Sequence, residues 1–395
     1  MNHNTLRKIF LTLTALIVGT SISLAEDDMP IIAYIGVPNT QSTEQNFKNF
    51  SECGFNVSLH GYANLEEMTK ACDIAHRYGV KILGHCPETH QQPEKAAAVM
   101  KNHPGFYGYI LQDEPSAPEI KELKKEIVRL KRTDSKRCFY INLLPYYEDW
   151  VLQHTKTKSY DEYLNTALTA ETQQLSFDFY PITKDGIRNG WYSNLETVRS
   201  KCAQKGIPFW GFVLSVPHAL YPQPTMGSLR LQVYTNLAYG AQAIQYFTYW
   251  TPQPEGENDY HDGPIDRNGK KTKTYFLVQQ MNRELKEVAR LFYGAKVLSV
   301  HHLGTIHEGT TRLNQTPINL RSLKVVGRQG AIVSQIEKNG HRYLAIVNKS
   351  HEQPLTIRIQ TRNSIPRQVT KQLKEKAMKD SYRVSAGDIL LFKLK

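Results

Sequence analysis

Cysteine is scarce in this chain: five residues in 395, at Cys53, Cys72, Cys86, Cys138 and Cys202. They are odd in number and far apart, with no CxxC pair or zinc spacing, which argues against a disulfide framework and leaves room for a single disulfide in an oxidising compartment. No HxH or HExxH spacing occurs, so the common histidine metal motifs are missing too. The first strand-like run is not followed by a glycine-rich phosphate loop, which argues against a nucleotide-binding doubly wound sheet. Past the N-terminal segment no stretch approaches 18 uninterrupted apolar residues, so stable membrane insertion is not expected. Repeats of solenoid period and low-complexity tracts are absent as well.

Acid is scarce in one region. From Lys296 to Lys395 there are 18 Lys and Arg against 6 Asp and Glu, whereas the rest of the chain has 31 of each. The net charge of +12 therefore belongs to the C-terminal hundred residues. Such a surface serves solubility or attraction to an anionic polymer or cell surface. A nucleic-acid partner is not expected, because no binding motif accompanies the charge.

At the other end, Arg7 and Lys8 precede the apolar run "IFLTLTALIVG", and small residues lead to "SLA". Ser23 and Ala25 satisfy the small-residue cleavage rule, so residues 1–25 read as a signal peptide with Glu26 as the first mature residue. The expectation is an exported protein, periplasmic or extracellular. The remaining composition, 40% hydrophobic and 22% charged, is that of a globular chain.

From Pro30 onward strand-like and helix-like segments alternate. The strand-like runs are "IIAYIGVP", "NVSLHG", "KILGHCP", "FYGYILQDEP", "CFYINLLP", "LSFDFYPI", "PFWGFVLSV" and "AIQYFTYWTP". Amphipathic stretches such as "NLEEMTKACDIAHRYG", "APEIKELKKEIVRLKR" and "TYFLVQQMNRELKEVARLFYG" lie among them. Eight such units over this length predict a (β/α)8 TIM barrel over residues 26–294. After Gly294 short β-type runs separated by "KNGH" and "SAGD" predict a small antiparallel β-sandwich domain over residues 295–395.

In a barrel of this kind the chemistry sits where strands end. The fourth run ends in "GYILQDEPSAPE", two adjacent carboxylates and a proline. Strand two presents His60, strand three His85 and Cys86, strand five Asn142, and strand six Asp178 and Tyr180. Strand seven ends near Ser215 with His218 beyond, and strand eight ends in Tyr249 and Trp250. Carboxylates beside aromatic rings suit a sugar, whose C–H faces stack on the rings while its hydroxyls bond to polar groups. Each residue also has a plainer reading: Asp113-Glu114-Pro115 as helix entry, Asp178 as a barrel-mouth hydrogen-bonding group, the histidines as pocket lining, Tyr249 and Trp250 as core. The loop "TPQPEGENDYHDG" carries further acids, Glu255, Glu257, Asp259 and Asp262 among them, and is expected to overhang the site.

With these residues the stretch from Pro30 to Gly294 resembles the clan of retaining glycoside hydrolases that includes the barrel β-galactosidases, and more narrowly glycoside hydrolases of Bacteroidetes. That clan ends strand four in Asn-Glu-Pro, so the resemblance implies that Glu114 is the general acid. It also implies that Tyr180 lies near the partner carboxylate and that Trp250 sits at the sugar. The sequence departs from the clan twice. Asp113 replaces the Asn that bonds the sugar 2-hydroxyl, and "PFWGFVLSVPH" has no acid where the clan keeps its nucleophilic Glu.

The expected function is cleavage of an oligo- or polysaccharide, an anionic one being compatible with the basic C-terminus, without an organic cofactor or metal. Glu114 is the expected acid, and Asp178, less surely Asp113, its base or nucleophile. His60, His85, Asn142, Tyr180, His218, Tyr249 and Trp250 would shape the sugar site. The rivals are a barrel that binds carbohydrate without cleaving it, and a metal-dependent hydrolase using His60, His85 and Asp113. Oligomeric state is not addressed by any of these residues.

Overall fold

The computed structural model describes residues 28–188, 190–327, 329–362 and 366–394; the signal-peptide segment lies outside them. Eight parallel strands close a barrel. They are β1 (Ile31–Tyr34), β2 (Val57–Gly61), β3 (Lys81–His85), β4 (Phe106–Asp113), β5 (Cys138–Leu143), β6 (Leu175–Phe177), β7 (Phe209–Leu214) and β8 (Ala243–Phe247). β8 pairs with β1 in parallel, Ile31 opposite Ile244, so no edge is left open. A two-stranded hairpin, Ile182–Thr183 with Gly186–Ile187, follows β6.

Alternation along each strand separates two apolar layers. Ile32, Val57, Leu59, Leu83, Tyr140, Trp210 and Ala243 fill the barrel interior. Residues of opposite parity, such as Ile31, Ala33, Ile82, Phe139 and Ile244, join the larger core under the surrounding helices. This is the two-residue period of a strand buried on both faces. One irregularity matters for function. Ile110 pairs with Tyr140 but Gln112 pairs with Ile141, so β4 carries one extra residue, Leu111, relative to β5. Leu111 joins the outer core and Gln112 hydrogen-bonds Glu119, while Ile110 and Asp113 face inward opposite Tyr140 and Asn142. Bulges of this kind re-aim side chains beside active sites.

The last barrel helix, Lys273–Phe292, leads into strand Lys296–Leu303 and two antiparallel sheets of six and three strands. Side chains from both sheets, Leu323, Ile346, Ile357 and Phe392 among them, share one apolar core. The other face of the six-stranded sheet continues the barrel's outer core through Ile332, Ile336, Ala345 and Val347. Helix Met226–Tyr239 lies between the two; it buries 11 of its 14 residues, Ser228, Gln232, Thr235 and Asn236 among them, and so is covered on nearly every side. A Cβ on Gly227 would stand 2.1 Å from the His351 carbonyl oxygen, so glycine lets the helix start press against the β domain. All five cysteines are free, and four are buried. No described helix is long and apolar enough to cross a membrane.

Candidate active site

The "DEPSAPE" stretch divides into a structural half and a chemical half. Ser116 caps helix Ala117–Thr133: its backbone N–H and hydroxyl both donate to Glu119, at 2.7 and 2.6 Å, in a capping box. Helix entry is therefore handled by Ser116 and Glu119. Asp113 and Glu114 are left at the strand end, on the face where barrel sites form. Glu114 holds a left-handed backbone, φ 45°, which costs a non-glycine residue energy and tends to persist at functional positions. Its N–H donates to the Asn142 carbonyl at 2.8 Å, and its own carbonyl lies 3.2 Å from His154 Nε2. The Tyr163 hydroxyl donates to the Pro115 carbonyl at 2.8 Å.

Asn142 organises the carboxylates. Its Nδ2 donates to Asp113 Oδ1 at 3.1 Å and to Asp178 Oδ1 at 3.0 Å. Its Oδ1 accepts from Ser176 Oγ at 2.8 Å, and Ser176 in turn accepts from Gln245 Nε2 at 2.8 Å. Gln245 Oε1 accepts from the Tyr140 hydroxyl at 2.8 Å. This interior chain from β5, β6 and β8 fixes which way the Asn142 amide points. Asp113 also accepts from the Tyr34 hydroxyl of β1 at 2.7 Å. Asp178 accepts from Asn142 and the Tyr180 hydroxyl, while the Tyr147 hydroxyl donates to its backbone carbonyl at 3.1 Å.

Three carboxyl groups thus meet with no cation among their hydrogen-bond partners in the described residues. Burial, then the charge of Asp113, pushes the Glu114 carboxyl up to about 7. Burial, then Glu114 and Asp113, drives Asp178 well above the carboxylate range. The Glu114 and Asp178 carboxyls are in hydrogen-bond contact, so together they retain a proton near neutral pH, as close carboxyl pairs do.

That contact corrects the role expected for Asp178. Carboxyls that flank a glycosidic bond stand about 5–5.5 Å apart in retaining enzymes and about 6.5–9.5 Å in inverting ones. Asp178 touches Glu114 and so does not stand across a bond from it; its hydrogen bond lowers the Glu114 pKa, against burial and Asp113, while Asp178 is itself driven up. Tyr249 and Trp250 are corrected as well. β8 ends at Phe247, and the Tyr249 ring packs outside the barrel, 4.8 Å from Phe50 and 5.5 Å from Phe55. Trp250 is buried in the same outer core, with its ring against Gly269 of the following loop. Phe247 takes the mouth position. It gathers with Tyr34, Tyr180, Phe212, Leu214, Val216, Tyr221 and Tyr260 in one cluster. His218 joins them, its ring 4.5 Å from Tyr260 and 4.8 Å from Tyr221.

His60 has the parity of Ser58, opposite Leu59, and its ring meets Tyr62 of the outer core at 6.2 Å. It faces the helices and not the mouth. Burial and His85 lower its pKa to about 4. His85 has the inward parity of Leu83, sits over Gly61 and lies 5.9 Å from His90. His60, His85 and Asp113 do not assemble, and among the described residues no group of three His, Cys, Asp or Glu could hold a metal ion. Of the loop acids, Asp259 accepts from the Ala219 N–H at 2.9 Å and Asp266 closes its own turn onto Asn268 and Lys270. Tyr34, Phe247 and Arg188 are site residues that reading the strand ends missed. The Arg188 guanidinium stacks 4.5 Å from the Tyr147 ring and donates to the Tyr221 hydroxyl at 3.3 Å.

The family model described as Beta-galactosidase, glycoside hydrolase family 42, matches residues 121–288. Over those residues the barrel is similar to the β-galactosidase-type glycoside hydrolases. The match begins beyond Glu114, so the roles of Asp113 and Glu114 rest on geometry. Among solved structures, the β-galactosidase of Bacillus circulans sp. alkalophilus aligns over 93% of this chain and 99% of its own, at TM-score 0.60 and 10% identity. The β-galactosidase of the psychrophilic Marinomonas ef1 aligns over 66% of this chain at TM-score 0.50 and 11% identity. That of the haloarchaeon Halorubrum lacusprofundi aligns over 69% at TM-score 0.50 and 12% identity. The chain spans about 60% of the length of the last two, 60% and 59%. These likenesses show the shared fold. No curated protein matches the sequence.

Proposed function

We propose that the protein is an exported glycoside hydrolase acting on an oligo- or polysaccharide, with Glu114 as its general acid. One observation carries the reading: a half-buried carboxyl at the end of β4, in contact with Asp178, has its pKa pushed up to about 7 by burial and the neighbouring Asp113 charge. A general acid works best when its pKa lies near the working pH. The family match and the aromatic mouth support a sugar as the group that receives the proton. The N-terminal segment supports export. Arg188 supports an anionic sugar unit beside the site, since no described carboxylate lies within ion-pair distance of it and its guanidinium is stacked and half-buried.

Glu114→Gln should fold and bind glycans but lose about 10²–10⁴-fold in rate on unactivated glycosides. Wild-type-like turnover would remove Glu114 from the mechanism. The missing acid on β7 favours a second reading, a barrel that binds glycans without cleaving them. Saturable glycan binding with no product after prolonged incubation is its signature.

A further inference from the structure

A glycoside hydrolase with one acid still needs something to occupy C1 of the sugar as the leaving group departs. In the usual two-carboxylate arrangement this is a second carboxylate or a water that it activates. Three features of this barrel leave that place to the substrate.

The first is the end of β7. Phe212, Leu214 and Val216 form an apolar wall there with Tyr180, and Ser215 is spent on the Thr248 carbonyl at 2.7 Å. The second is Asp178. Its contact with Glu114 places it beside the acid, on the wrong side of the bond for a nucleophile. The third is Asp113. It is exposed at the mouth, adjacent to the acid, and both its oxygens are held by donors, Tyr34 and Asn142. A carboxylate so held is an acceptor only and keeps free lone pairs. The group that it would meet at C2 of the sugar must therefore be a donor.

We propose that the substrate supplies its own nucleophile: the enzyme cleaves β-linked 2-acetamido-2-deoxy sugars by participation of the acetamido group, with Asp113 as the catalytic residue that binds the amide N–H. The inference rests on the reading of Glu114 as general acid. In the first step the proton of Glu114 passes to the glycosidic oxygen while the C1–oxygen bond breaks, and the electron pair leaves with the alcohol. The acetamido carbonyl oxygen bonds to C1 from the opposite face, giving a bicyclic oxazolinium whose N–H⁺ is held by the Asp113 carboxylate. In the second step the Glu114 carboxylate takes a proton from water, whose oxygen attacks C1. The bond from C1 to the acetamido oxygen breaks, and the acetamide is restored. The sum is glycoside plus water giving free sugar plus alcohol, with the anomeric configuration kept and no bond from sugar to enzyme. The apolar wall of Phe212 and Leu214 suits the acetamido methyl, where a charged nucleophile would be poorly solvated.

The test uses the full mature chain and matched β-linked 4-methylumbelliferyl glycosides, gluco and galacto, bearing either a 2-acetamido group or a 2-hydroxyl. The acetamido substrates should be favoured in kcat/KM by about 10²-fold or more, because the nucleophile is preplaced. Replacing acetamido by trifluoroacetamido, whose carbonyl is a weaker nucleophile, should slow turnover by about 10-fold or more. Asp113→Asn should lose at least as much on the acetamido substrate while keeping the wild-type denaturation midpoint. Equal or faster cleavage of 2-hydroxy glycosides, with Glu114→Gln inactive on them, would overturn acetamido participation and leave the general acid standing. So would labelling of the protein by a 2-deoxy-2-fluoro glycoside. Cleavage that survives Glu114→Gln, or no cleavage of any of the four substrates, would overturn both.

Discussion

Two clusters of acid make opposite use of the same residue type. At the barrel mouth Asp113 and Asp178 share the Asn142 donor and Glu114 touches Asp178; among the described residues no cation hydrogen-bonds these carboxyls, and the Glu114 pKa is pushed up to about 7. Where barrel meets β domain, Glu284 faces two cations: Arg230 forms a bidentate pair with it, and Lys371 Nζ lies 2.6 Å from its Oε2. Asp388 completes that cluster, 2.6 Å from Lys371. Burial pushes Glu284 up too, but the hydrogen bonds from Arg230 and Lys371 outweigh it and hold the pKa at about 2. A carboxylate matched to cations joins two parts of the chain. A carboxylate denied them is left with a proton to give, and the fold carries the cost of keeping it there.

The contrast can be broken at either cluster. The largest effect belongs to Glu114→Gln, expected to lose about 10²–10⁴-fold in kcat/KM on unactivated glycosides. Next comes Asp178→Ala. The hydrogen bond from Asp178 lowers the Glu114 pKa, so its loss should raise it. The alkaline limb of the pH–rate profile should move to higher pH by roughly a unit, and a limb that stays in place would deny the coupling. Lys371→Met should lower the unfolding free energy by about 1–3 kcal/mol in a denaturant titration at pH 7. Wild-type stability there would mean that the interface cluster is decoration.

The smallest effects come from pH. The depressed pKa of Glu284 contributes stability above its unfolded value near 4.5, lost as pH falls from there toward about 2. After screening this is on the order of 1–2 kcal/mol. The sign reverses for Glu114, whose raised pKa makes ionisation costly: stability should fall as pH rises from about 4.5 through about 7. Glu114→Gln should therefore be more stable than wild type at pH 8, on the order of 1–2 kcal/mol. Equal stability at pH 8 would imply a solvated carboxylate.

The eight strands were legible because each is an apolar run bounded by glycine, proline or polar residues, and the carboxylates of β4 were legible because they end such a run. Legibility failed where a single residue decides direction. His60 was assigned to the mouth by its place at a strand end, but parity turns it to the helices. Tyr249 and Trp250 read as the end of β8, yet the strand stops at Phe247 and the next two aromatics pass beneath the loop. Nothing beside Tyr34 in β1 marks it as polar-site lining; only closure of the barrel brings its hydroxyl to Asp113. The contact between Glu114 and Asp178 joins strands four and six, and no spacing along the chain encodes that distance.

The extra residue in β4 has a practical consequence for anyone comparing this chain with its relatives. Aligned without a gap at Leu111, Gln112 falls opposite Asn142, and the strand presents a neutral amide to the barrel. Comparative surveys that score residue identity column by column would then record the wrong side chain beside the acid. Deleting Leu111 should remove the bulge and keep Gln112 opposite Ile141 and Asp113 opposite Asn142, so the variant would align without a gap.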